Sequence, residues 1–128
     1  MSYLFVYGTL QDLDVLKLVL GHHDFILSDY TLISYRIVRA KDEDFPLLVK
    51  GEGKVEGKLI KGLSPKDKEL LIIYEGEEFI LKKIGPEIET FLPSDSSLIT
   101  DEPWSLENWD KENYLKKVDR FLKHGIWE

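Results

Sequence analysis

Apolar positions along this chain recur with two periods, near 2 and near 3.6 residues, and the switches between them mark its elements. Tyr3 to Tyr7 is apolar on both faces, the pattern of a buried strand. In Asp12 to Leu20 the leucines at 13, 16 and 20 recur at helical spacing, with Asp12 as N-cap and Gly21 as the stop. Phe25 to Val38 returns to alternation, with Tyr30, Leu32 and Ser34 on one side and Thr31, Ile33 and Tyr35 on the other. The charged run Lys41-Asp42-Glu43-Asp44 reads as an exposed loop or hairpin end. Pro46 to Val49 reads as a short strand, and Lys54 to Lys61 as another with a bulge at Gly57.

Ser64-Pro65-Lys66-Asp67 is a helix start: a capping hydroxyl, proline at the first helical position and an acid in the first turn. The helix predicted from it runs through Leu70, Leu71 and Ile73 to end near Gly76. Phe79 to Ile84 and Glu87 to Leu92 read as strands separated by Gly85-Pro86, and Asp95 to Pro103 as a polar linker. Ser105 is a candidate cap for a last helix over 105–123, with Leu106, Trp109, Leu115, Val118, Phe121 and Leu122 facing the core. Short strands mixed with three helices in irregular order give an α+β class, and 128 residues suit a single domain over 1–128.

Charge and composition narrow the function classes. A formal net charge of −7 argues against nonspecific binding to a phosphate backbone, so no nucleic-acid partner is expected. No stretch is long and apolar enough to span a bilayer, and the N-terminus lacks the basic region and apolar run of a signal peptide. A cytoplasmic location without membrane association is therefore expected. The chain has no cysteine, which rules out disulfides, thiol nucleophiles and cysteine-based metal sites. Of its three histidines, the run His22-His23-Asp24 is a weak metal candidate, because adjacent loop side chains point apart. Ser28, Ser34, Ser64 and Ser105 lack the glycine-flanked elbow of a nucleophile, and Gly51-Glu52-Gly53 lacks the Lys-Ser/Thr of a phosphate loop. Trp104, Trp109 and Trp127 read as core or interface anchors.

Two stretches carry candidate chemistry. Tyr7-Gly8-Thr9-Leu10 ends a strand just before a helix, so backbone N–H groups fall where neither ladder nor helix bonds them, a setting for an anionic or polarised oxygen. Gly8 allows close backbone approach there. Glu75 stands near a helix C-terminus, against the dipole, with Glu77 and Glu78 close by. Neighbouring like charges and burial each raise a carboxyl's pKa, which makes a better base at neutral pH.

Together with Phe45-Pro46-Leu47-Leu48, Val55-Glu56-Gly57-Lys58-Leu59, Leu71-Ile72-Ile73-Tyr74-Glu75-Gly76 and Phe79, the segment Phe5 to Leu10 resembles the gamma-glutamylcyclotransferase-like family over roughly Tyr3 to Leu92. The resemblance implies a small mixed β-barrel of about six or seven strands with flanking helices. It implies Glu75 as the catalytic acid–base residue and Tyr7, Gly8, Thr9 and Leu10 as the substrate-binding loop. The implied reaction converts a γ-glutamyl amine or γ-glutamyl amino acid to 5-oxoproline and the free amine, with no metal or organic cofactor. Ile72 and Leu81 depart from the family pattern, where an aspartate and an arginine are frequent. The alternative is a noncatalytic module on the same fold that binds a small metabolite or a partner. Tyr35 and Tyr114 are further candidates for the pocket.

Overall fold

The computed structural model describes residues 3–43, 45–104 and 110–125. Its strands are β1 (Tyr3–Val6), β2 (Ile26–Arg39), β3 (Pro46–Lys61), β4 (Phe79–Lys83) and β5 (Ile88–Pro93); its helices are α1 (Leu13–Leu20), α2 (Pro65–Glu75) and α3 (Lys111–His124). Single 3-10 turns stand at Thr9–Gln11 and Ser96–Leu98. The strands form one mixed sheet in the order β2-β3-β1-β5-β4, antiparallel except where β1 lies parallel to β5.

The α+β class holds, with five strands among the described residues rather than six or seven. The predicted pieces 46–49 and 54–61 are one strand, because the glycines between them sit within the ladder instead of breaking it. The bulge lies across the hairpin from where it was expected. Register slips between Ile33 and Tyr35, where Ser34 takes φ +67, while Gly57 stays in register opposite Tyr30. Gly57 is there for space: a Cβ on it would collide with the Val6 carbonyl oxygen and come within 2.8 Å of Phe5 Cζ.

Alternation on β1 sends its side chains to two cores. Leu4 and Val6 join Val15, Leu16, Leu20, Ile60, Leu71 and Val118 beneath the helices. Phe5 and Tyr7 join Leu32, Leu48 and Val55, with Tyr30, Tyr35, Ile37 and Leu92 packed around them. The second cluster draws on the sheet itself, so the sheet covers this face as a barrel does, without pairing its edge strands β2 and β4. Tyr35 belongs to that interior and does not reach the cavity described below. The buried Thr90 hydroxyl is satisfied by donating to the Phe5 carbonyl at 2.9 Å, across the parallel pair.

Helix caps follow the local sequence. Asp12 accepts from the Asp14 and Val15 amides, and Gly21 closes α1 at φ +76. The buried face of α1 is Val15, Leu16, Val19 and Leu20, so Leu13 lies off it and is exposed. Helix α3 is capped by Asp110, and Lys111 ties it to Asp12 and Asp14 of α1 at 3.0 and 2.8 Å. Ser105, Leu106, Trp109 and Trp127 lie outside the described residues. Of the positions expected to face the core from α3, Val118 is buried and Leu115 packs beside it, but Leu122 is exposed.

Ser64 and Asp67 form a capping box at the start of α2, and His22 Nε2 stands 2.7 Å from Asp67 Oδ1. Burial pushes the Asp67 carboxyl up, but the hydrogen bonds from His22 and Ser64 outweigh it and leave the pKa lowered. A carboxyl lowered by folding stabilises above its unfolded value of about 3.9 and loses that contribution as pH falls through the folded value. Asp67→Asn should therefore cost about 1 kcal/mol at pH 7, the scale of a lost cap. The cost should shrink below about pH 4 in urea titrations at both pH values; an equal cost at both would assign the loss to packing.

Candidate active site

The C-terminal end of β1, the 3-10 turn, the end of α2, the start of β4 and one face of α3 enclose a cavity of about 550 Å³. All five residues singled out in the sequence, Tyr7, Gly8, Thr9, Leu10 and Glu75, line it. Their parts differ. Leu10 sends its side chain into the core, and Tyr7 donates its buried hydroxyl to the Phe91 carbonyl, so the loop can offer mainly backbone. The Thr9 and Leu10 amides open the 3-10 turn, where a helix has no internal acceptor for them, and no described residue accepts from them. Gly8 packs so closely on Pro46 that a Cβ would stand 3.0 Å from Pro46 Cγ.

Glu75 is the last residue of α2. Gly76 follows at φ +82, a conformation suited to glycine, and its amide donates to the Ile72 carbonyl at 3.1 Å. This stop turns the chain and leaves the Glu75 carboxyl on the cavity wall. Desolvation there, and secondly the charge of Glu78, push its pKa up to about 8. The carboxyl makes no hydrogen bond or ion pair with any described residue. Of the neighbouring acids, Glu78 lines the cavity and Glu77 does not; the Glu77 carbonyl accepts from the Ser94 hydroxyl.

Beside Glu75, three hydroxyls from three elements meet. Thr9 Oγ1 stands 2.8 Å from the Tyr74 hydroxyl and 3.3 Å from that of Tyr114, and the two tyrosines hydrogen-bond to each other. Burial is the first cause that raises the pKa values of Tyr7, Tyr74 and Tyr114, and the Glu75 charge adds to all three, so these phenols stay protonated at neutral pH.

The sequence reading missed Tyr74, although it adjoins Glu75: a tyrosine on the apolar face of a helix reads as core, and its ring is indeed buried. It also missed the aromatic walls Phe45, Phe79, Phe91 and Trp104, which come from separate segments; Trp104 lines the cavity instead of anchoring a core. The histidine run lies elsewhere, with the Asp24 amide donating to His22 Nδ1 at 3.0 Å while Nε2 meets Asp67. Ile72 is exposed, and Leu81 packs against the helix-side core.

Comparison with known proteins bears on the fold and the family. Curated relatives include "AIG2-like protein C" of Arabidopsis thaliana, 28% identical with 94% of this chain and 78% of the relative covered. "AIG2-like protein A" of the same plant is 29% identical, with 93% and 78% covered. A solution structure of an Arabidopsis thaliana protein superposes with a TM-score of 0.64 at 24% identity, covering 95% of this chain and 80% of that one. An uncharacterized protein of Pyrococcus horikoshii superposes at 0.58 and 20% identity, covering 91% and 95%. These structural likenesses establish the shared fold. Residues 4–119, from β1 through most of α3 and so including every element of the cavity, match one family profile, and by it the chain belongs to the gamma-glutamyl cyclotransferase, AIG2-like family.

Proposed function

We propose that the chain is a cytoplasmic cyclotransferase that releases 5-oxoproline and a free amine from a γ-glutamyl compound, with Glu75 as acid–base catalyst and Tyr7, Gly8, Thr9 and Leu10 as the binding loop. The observation that carries this reading is the Glu75 carboxyl, without a partner among the described residues, on the wall of a cavity also lined by Thr9 and Leu10, whose amides have no acceptor among the described residues. Those amides suit the substrate's α-carboxylate or the oxygen of the attacked carbonyl.

In this mechanism ionised Glu75 takes a proton from the substrate's α-ammonium, and the freed amine attacks the γ-carbonyl carbon to close a five-membered ring. The new ring nitrogen then carries one proton too many. As the bond from carbon to the leaving nitrogen breaks, both protons pass by way of Glu75 to that nitrogen, and the carboxylate is regenerated. Folding of the substrate against the aromatic walls supplies the proximity. Every proton moves between substrate and Glu75, so the cyclisation itself calls for no cofactor.

A carboxyl at about 8 is roughly one-tenth ionised at pH 7, so 5-oxoproline release should climb about 20-fold between pH 6.5 and 8.5. The measurement is 5-oxoproline release from a panel of γ-glutamyl amines and amino acids across that range. A rate flat over the range would remove Glu75 from the role of base, and no release from the whole panel would overturn the proposed activity.

A further inference from the structure

The hydroxyls of Thr9, Tyr74 and Tyr114 make a triangle with two short sides. Thr9 Oγ1 lies 2.8 Å from the Tyr74 hydroxyl, and the two tyrosine hydroxyls bond directly. Thr9 Oγ1 and the Tyr114 hydroxyl stand 3.3 Å apart, beyond the usual O–H···O range. The three oxygens therefore form a chain with Tyr74 in the middle and one open side between its ends. Tyr74 is buried while Thr9 and Tyr114 are half-buried, and all three line the cavity, so the ends are the part a ligand meets. Each hydroxyl gives one proton and accepts in return. With both short bonds running the same way, one end presents a proton and the other a lone pair; reversing the bonds exchanges them.

A donor beside an acceptor is what the ring-closed intermediate calls for. Its ring nitrogen carries an excess proton, its leaving nitrogen lacks one, and both nitrogens sit on the same carbon. A direct jump between them would pass through a strained four-centre arrangement. Glu75 at that moment holds the proton taken from the α-ammonium, and a protonated carboxyl is a poor base. The open side of the hydroxyl chain sets an acceptor and a donor 3.3 Å apart, a spacing that suits two atoms bonded to one carbon. Burial, and with it the Glu75 charge, keeps both phenols protonated, so the chain is neutral before and after a transfer.

We propose that Thr9, Tyr74 and Tyr114 form a proton relay that moves the excess proton of the ring nitrogen to the leaving nitrogen, in place of a second passage through Glu75. The proposal rests on the cyclotransferase reading above and refines one step of it. In that step the ring N–H bond breaks as its proton joins one terminal hydroxyl oxygen, and each hydroxyl passes its own proton along. The far end protonates the leaving nitrogen. The electron pair of the carbon–nitrogen bond then departs with that nitrogen, the carbonyl re-forms, and Glu75 gives its proton to the departing amine. The three hydroxyls end neutral, with their bonds reversed. Thr9 and Tyr114 touch the reacting nitrogens, and Tyr74 links them.

The test uses single-turnover rates with the γ-glutamyl amide of the panel above that wild type turns over fastest. Tyr74→Phe cuts the chain in the middle and keeps the ring; Tyr114→Phe cuts it at a half-buried end and serves if the first variant does not fold. Each should slow the saturated rate about tenfold with half-saturation unchanged, below the range for a lone acid–base group because the ring proton can still pass through Glu75. Thr9→Val should lose as much, and restoring the hydroxyl in Thr9→Ser should recover most of it. Mixtures of H2O and D2O give the readout that packing cannot mimic. Several protons in flight should make the wild-type rate bow downward with D2O fraction, and the Phe variants should straighten the plot. A straight wild-type plot, a plot equally bowed in the variants, or a loss carried by half-saturation would overturn the relay and leave the cyclisation standing. No release from wild type with any member of the panel would overturn the cyclotransferase reading and the relay with it.

Discussion

Glu75→Gln is expected to lower 5-oxoproline release about 10²- to 10⁴-fold, the range for loss of a general acid–base group, and at the same time to make the protein more stable in alkaline solution. Both effects come from one fact: folding puts this carboxyl where ionisation is disfavoured, with a pKa of about 8 against an ordinary 4.5. Between those values the unfolded chain has released the proton and the folded chain still holds it. The unfolded state thus binds fewer protons, and wild-type stability falls as pH rises from about 4.5 to about 8. Glutamine has no such proton. The melting temperatures of wild type and Glu75→Gln should coincide near pH 4.5, diverge up to pH 8 and stay parallel above it. At ~1.4 kcal/mol per pKa unit the gap amounts to a few kcal/mol, reduced by whatever water the cavity admits. Loss of activity without that divergence would mean that Glu75 acts without being desolvated. Activity retained in the variant would move the role to Glu78, the nearest other acid on the wall.

Gly57→Ala is expected to cost about 3 kcal/mol or more, a large effect for one methyl group on an exposed-looking strand. The new carbon would meet the Val6 carbonyl oxygen and the Phe5 ring, whose Cζ and Cε1 would lie at 2.8 and 2.9 Å. Phe5 is fully buried and Val6 is bonded into the centre of the sheet, so neither can retreat cheaply. Relief would require β1 to shift, and β1 leads directly into Tyr7 and Gly8. Gly85→Ala is the control, since a Cβ there meets nothing within 4 Å. Its unfolding free energy from urea titration should stay within about 0.5 kcal/mol of wild type. Similar midpoints for the two variants would show that the Phe5 ring can move aside.

The outline of the fold is legible in the sequence wherever the signal is local. Asp12 and Gly21 bound α1, and Ser64-Pro65 and Gly76 bound α2, because caps and stops act within one turn. The strand count is not legible, since Gly51 and Gly53 look like breaks in one dimension but are bonded into a sixteen-residue strand by β2 alongside. The space-saving role of Gly57 is hidden for a similar reason: its neighbours Phe5 and Val6 are about fifty residues away in the chain. At the site, Glu75 and residues 7–10 stand out through motifs whose spacing survives in one dimension. The walls do not. Phe45, Phe79, Phe91 and Trp104 are ordinary apolar residues until tertiary packing points them into one space.

The hydroxyl meeting of Thr9, Tyr74 and Tyr114 joins residues separated by as many as 105 positions. The shortest contiguous fragment that holds all three runs from Thr9 to Tyr114, most of the chain, so no short local unit carries the cluster. It exists only once the first and last thirds of the polypeptide have found each other. A protein emerging from the ribosome has Glu75 long before it has Tyr114. The cavity itself thus lacks a wall until synthesis has reached α3, because Tyr114 and Phe121 line it.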